Sequence, residues 1–176
     1  MRSLDGVKPQ DILILLKILS LGEKPWRSLD LAESLGISPA EISLALERCQ
    51  RSKFLDSSKK RVMKSALLEF LVHGLKYVFP VSPGAMTSGI PTAHSAPPLN
   101  KRIVSSEDVY VWPCAEGSKR GQTIKPLYET VPAAAQKDPK LYELLALADA
   151  LCVGRAREWL LASKELEKRM GQAQAV

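Results

Sequence analysis

The densest apolar run in the chain lies between Pro9 and Leu21, where Ile12, Leu13, Ile14, Leu15, Leu16, Ile18, Leu19 and Leu21 precede Gly22. One 3.6-residue stripe cannot hold so many, so the spacing predicts a helix buried on more than one side, against the two helices that follow, with a second subunit as a further candidate for its cover. Two shorter patterns come next. Ser28 offers an N-cap to a helix that carries Leu31, Ala32 and Leu35 and ends at Gly36. Ser38, Pro39 and Glu41 then supply an N-cap, a first-position proline and a capping-box partner for another helix. In it Ile42, Ala45, Leu46 and Cys49 share one side, while Ala40, Ser43, Leu44, Glu47 and Arg51 lie opposite, with Arg48 flanking. Residues 65–79 give a further helix through Leu67, Leu68, Phe70, Leu71, Leu75 and Val78, stopped by Pro80.

The pattern then changes. Residues 80–106 hold five prolines, five serines and two glycines in 27 positions, which predicts an irregular segment, either a linker or a loop that wraps something. Asp108-Val109-Tyr110-Val111-Trp112 has strand character, and Gln122-Thr123-Ile124 is its expected hairpin partner across 117–121. That loop carries two glycines and two cations but lacks the Gly-Lys-Ser/Thr order of a phosphate loop, so a solvated hairpin tip is the plainer account. Asp138 and Pro139 start a helix carrying Leu141, Leu144, Leu145, Leu147, Ala148 and Leu151, and a second segment comes after Gly154, which kinks the helix or divides it in two. The fold expected is therefore mainly α with a small β component. A helical domain over 1–80 is followed by a Pro/Ser-rich extended segment with a short β-hairpin over 81–130, then by C-terminal helices over 131–176.

The junction between the two short helices is about three to four residues long and contains Gly36, as in a turn that sets two helices nearly perpendicular. An ordinary helical corner would show the same pattern. Residues 54–64 separate the two accounts: Phe54-Leu55-Asp56 and Arg61-Val62-Met63-Lys64 read as the strands of a short hairpin around Ser57-Ser58-Lys59-Lys60. From Arg48 to Lys64 stand seven basic residues and one acid, an excess equal to the formal net charge of the whole chain, +6. Charge focused in this way is the footprint of a phosphate-binding surface rather than of general solubility.

Leu31-Ala32-Glu33-Ser34-Leu35-Gly36-Ile37-Ser38-Pro39-Ala40-Glu41-Ile42-Ser43, followed by Phe54-Leu55-Asp56 and the basic turn, resembles the winged helix-turn-helix regulators of prokaryotes, especially the MarR-like group. The likeness covers about residues 9–79. It departs from the MarR pattern in that Asp56 and Arg61 stand further apart than in an Asp-x-Arg wing, and Ser65-Ala66 stands where a Leu-Thr pair is usual. The resemblance implies a winged helix-turn-helix domain with residues 38–51 as recognition helix and Lys59, Lys60 and Arg61 as the wing. Contacts to double-stranded DNA would then fall to Pro39, Ala40, Ser43, Leu44, Glu47, Arg48 and Arg51 on the helix, and to Lys59, Lys60, Arg61 and Lys64 beside it. Arg48 suits guanine, Glu47 can accept from cytosine, and Leu44 or Ala40 can touch a thymine methyl.

Composition narrows the remaining classes. The 45% hydrophobic and 25% charged fractions are those of a globular protein. The first six residues lack a hydrophobic leader and no run has membrane-span length, so a cytoplasmic protein without membrane contact is expected. Cys49, Cys114 and Cys152 are odd in number and widely spaced, against a disulfide framework or a zinc site, and Cys49 reads as a small core residue. No nucleophile elbow, metal-ligand cluster or dinucleotide fingerprint is present, and the two histidines, His73 and His94, have no partner at a catalytic spacing, so neither catalysis nor a cofactor is expected. The leading expectation is a sequence-specific regulator of transcription acting as a homodimeric repressor, paired through the C-terminal helix. The alternative is a protein-interaction module, such as an antitoxin or assembly subunit, whose C-terminal half binds a partner protein.

Overall fold

The computed structural model describes residues 6–103 and 108–171. Residues 1–5, read for the lack of a leader, the 104–106 end of the Pro/Ser-rich stretch, and 172–176 lie outside the described residues. The fold is mainly helical with one small sheet: five helices, α1 (Pro9–Leu21), α2 (Ser28–Leu35), α3 (Pro39–Arg51), α4 (Lys64–His73) and α5 (Leu75–Val78), precede strands β1 (Met86–Pro91), β2 (Tyr110–Pro113) and β3 (Lys119–Thr123). Helices α6 (Val131–Lys137), α7 (Pro139–Val153) and α8 (Ala156–Arg169) complete it. Among the described residues no helix is long and apolar enough to cross a membrane.

α1 is the centre of the core. The Asp11 carboxylate accepts the Lys8 amide at 2.9 Å to close its first turn, and Gly22, at φ +60°, ends it. Ile12 through Leu16 are fully buried. Both α3 and α7 pack on α1, so the cover expected in part from a second subunit comes from the chain's own C-terminal half. One continuous apolar cluster runs from α1 through α2, α3, α4, α5, the sheet and α6 to α8, joining all three stretches that composition had separated.

Several local expectations need correction. Ser28 is the first residue of α2 rather than its cap, and Asp30 does the capping by accepting the Arg27 amide at 2.8 Å. The hairpin after α3 shrinks to one bridged pair, Leu55 with Val62, because Met63 ends it and Lys64 already begins α4. The helix expected over 65–79 breaks at Gly74 into α4 and α5. Gly154 divides α7 from α8, one of the two outcomes expected of it, and the C-terminal helices expected over 131–176 begin with α6, a helix not delimited in advance.

The sheet departs furthest from expectation. β1 forms inside the proline-rich stretch and pairs antiparallel with both of the other strands, Ile90 opposite Trp112 and Thr87 opposite Gly121. β2 and β3, expected as a hairpin, instead run parallel where they meet, with Tyr110 opposite Gln122. Proline is tolerated here because Pro91 ends β1, where no ladder amide is needed. A side chain at Gly117 would overlap the backbone of Gly89, so glycine is required where these segments cross.

Polar clasps lock the halves together. Lys17, buried on α1, donates to Asp138 at 2.8 Å, and Ser20 donates to the same oxygen at 2.9 Å. The other Asp138 oxygen accepts the Lys140 and Leu141 amides, so the expected cap of α7 is also the partner of a buried lysine. Burial raises the pKa of Asp138, but the bonds from Lys17, Leu141 and Ser20 outweigh it and hold the carboxyl below its ordinary range. Deeper still, one oxygen of Asp149 on α7 accepts from Thr92 at 2.6 Å and from the Trp112 indole at 2.7 Å, fixing the sheet to the helix.

Asp149 is pushed up to about 6, chiefly by burial, with the two hydrogen bonds opposing. Its folded pKa exceeds its unfolded value, so its stabilising contribution is full below about pH 4 and is lost as pH rises through about 6. Asp149→Asn should therefore flatten the stability change between pH 5 and pH 7.5 by on the order of 1 kcal/mol. Urea unfolding of both proteins at the two pH values measures this, and parallel pH dependences would reject it.

Candidate nucleic-acid interface

α3 is held from behind and open in front. Ser38 caps it, accepting the Glu41 amide at 3.2 Å, with Pro39 in the first turn. Ile42, Ala45, Leu46 and Cys49 are buried as the pattern required, and burial pushes the Cys49 thiol up to about 12, which suits a core residue rather than a nucleophile. The opposite face presents Pro39, Ala40, Ser43, Leu44, Glu47 and Arg51, all exposed.

Arg48 is the exception. It is 4% exposed, and its guanidinium donates to both oxygens of the fully buried Asp11, at 2.9 and 2.7 Å. It also donates to Glu41, which in turn accepts from Gln10 at 3.2 Å. Hydrogen bonding to Asp11 is the main reason that the Arg48 pKa rises above its ordinary value. Burial pushes Glu41 up, but bonds from Arg48 and Gln10 prevail and keep it ionised below its usual range. The residue expected to read guanine is thus structural: a buried carboxylate on α1 requires a cation, and Arg48 at the edge of the α3 wheel is within reach. Glu41 likewise completes only half of the expected capping box, because its side chain serves Arg48 rather than Ser38.

The basic turn stands beside the open face of α3. Gln50 donates to the Ser57 carbonyl at 3.1 Å, and the Lys59 ammonium lies 3.5 Å from Glu47. Asp56 knots the turn, accepting from the Ser58 hydroxyl at 2.8 Å and from the amides of Lys60 and Arg61 at 3.1 and 3.2 Å. These bonds, the Ser58 hydroxyl first, hold its carboxyl below the ordinary range. Lys59 sits at φ +60°, a left-handed position that the tight turn imposes. Lys60 folds back, its ammonium 3.0 Å from the Trp26 carbonyl and 4.0 Å above the Trp26 ring. Arg61, Lys64, Arg51 and Lys53 are exposed as well, so with Arg48 withdrawn six cations remain across α3, the turn and the start of α4.

Trp26 and Lys24 were not among the expected contact residues. Their signal was an aromatic between Lys24 and Arg27 in the loop before α2, which charge counting over 48–64 passed by. Elsewhere, the His94 Nε2 lies 2.7 Å from the Asp108 carbonyl, and Lys119 and Arg120 are exposed on β3. Among the described residues, no group of three His, Cys, Asp or Glu is placed to hold a metal ion. In comparison with known proteins, the chain matches no family model, no curated protein and no solved structure.

Arg48→Ala would leave Asp11 charged and unpaired in the core and should cost about 3–5 kcal/mol of folding stability. Leu44→Ala, on the open face, should change stability by less than about 0.5 kcal/mol. Denaturant midpoints decide the matter: equal, small effects would return Arg48 to the surface.

Proposed function

We propose that the chain is a sequence-specific regulator that binds double-stranded DNA as a winged helix-turn-helix protein, with α3 as recognition helix and residues 56–61 as a short wing. The observation that carries this reading is the seating of the basic turn against the open face of α3, through Gln50 with Ser57 and Lys59 with Glu47. A groove that accepts α3 would bring its phosphates to Lys59, Lys60, Arg61 and Lys64.

The open face is poor in long donors once Arg48 is withdrawn. Ser43, Glu47 and Arg51 are its polar groups, while Ala40 and Leu44 suit a thymine methyl. Most affinity would then come from phosphate contacts and much of the discrimination from DNA shape. Action as a homodimeric repressor belongs to the same proposal. Because α7 is committed to α1, pairing would use outward positions such as Tyr77 and Val78 on α5 and Leu160 on α8, which are 72%, 52% and 48% exposed. The same exposed residues favour a second reading, a protein-interaction module whose C-terminal half binds a partner protein.

Binding to duplex DNA at several salt concentrations should give a steep negative log–log slope. Alanine at Lys59, Lys60 and Arg61 should flatten that slope by about 0.9 for each phosphate no longer neutralised. A triple variant with an unchanged slope rejects the wing. Serine at Tyr77 and Leu160 should lower the sedimentation mass and weaken DNA binding together if that face pairs two copies; an unaltered mass and isotherm reject pairing there.

A further inference from the structure

The end of α1, the α1–α2 loop and the turn enclose a cleft of about 660 Å³ that no α3 residue lines. Its rim carries Lys24, Lys60, Arg61 and Lys64, and Glu23 is the one acid among its lining residues. Trp26 stands in its wall, and the Lys60 ammonium joins the two walls through the Trp26 carbonyl and ring. Gly22 turns the chain out of α1, and the Lys24 amide donates to the Leu21 carbonyl at 3.2 Å, so the loop is ordered before any ligand arrives.

We propose that this cleft holds the sugar–phosphate backbone of DNA flanking the segment that α3 reads, an inference that rests on the DNA-binding reading above. Charge complementarity selects the occupant: four cations facing one acid suit a polyanion, and a concave groove admits one strand's backbone rather than a whole duplex. Lys60 has further ammonium donors beyond the one that Trp26 engages, and these can meet a phosphate oxygen. The interface is then continuous from α3 over the turn into the loop before α2, and Lys24, remote in sequence from the basic cluster, belongs to it.

Fluorescence anisotropy with labelled duplexes of about one and a half and about three helical turns tests the assignment. Lys24→Ala should flatten the log–log salt slope by about 0.9 on the long duplex and leave it unchanged on the short one. Glu23→Gln should tighten binding to the long duplex about threefold at low salt. Wild type and Lys24→Ala sharing one slope on a long duplex that both bind would overturn the cleft assignment while leaving α3 and the wing in place. Absence of salt-dependent binding by the wild type on either duplex would instead overturn the α3 reading, and this inference with it.

Discussion

The structure depends on burying α1 all round. A helix with Leu or Ile on every side cannot rest on a surface, and exposing even half of such a face would forfeit several kcal/mol at ~25 cal/mol per Å². α2 and α3 cover only part of it. α7 adds further cover, and the rest of the C-terminal half is arranged to deliver α7 there: Thr92, just past β1, and Trp112 on β2 anchor it through Asp149, and α8 packs against it. What reads as a small helical module with an appendage is one core in which the appendage covers the central helix.

The charged groups on α1 orient this packing. Asp11 and Lys17 are both buried, and each is satisfied by a partner far along the chain, Arg48 and Asp138 respectively. Apolar packing alone tolerates small rotations and slides of one helix on another, whereas a bidentate arginine does not. Asp11 fixes the rotation of α3 from behind, and that rotation decides which residues face outward. The composition of the open face therefore depends on a contact on its hidden side.

The helical pattern was legible where local rules decide. The periodicity gave α1, α2, α3 and α7 nearly to their ends, and Asp138 capped as its position before Pro139 implied. Arg48 could not be placed by its own helix, because a wheel puts it at the boundary and either side is open to it. The available clue was elsewhere: a carboxylate at Asp11 and an ammonium at Lys17 inside an otherwise apolar run each demand a partner. The strands were harder for a different reason. β1 is short, holds a glycine and ends in proline, so nothing local marks it, and its order is imposed by β2 and β3 on either side. At the candidate interface, the basic turn was visible as charge, while the placement of Trp26 and Lys24 beside it depends on a loop folded against the turn from more than thirty residues upstream.

The Lys17–Asp138 clasp spans 121 residues of chain. During synthesis α1 leaves the ribosome well before its covering helix, which follows only after the 121 residues that separate Lys17 from Asp138 have been made. At about 5–20 residues per second, the most apolar helix waits for several seconds or more without its cover. Contacts this distant also slow the search for the native topology. The arrangement that gives the finished protein a single core thus makes its nascent state the one most exposed to association with other chains, and makes the helices proposed to read DNA dependent on an element made much later than they are.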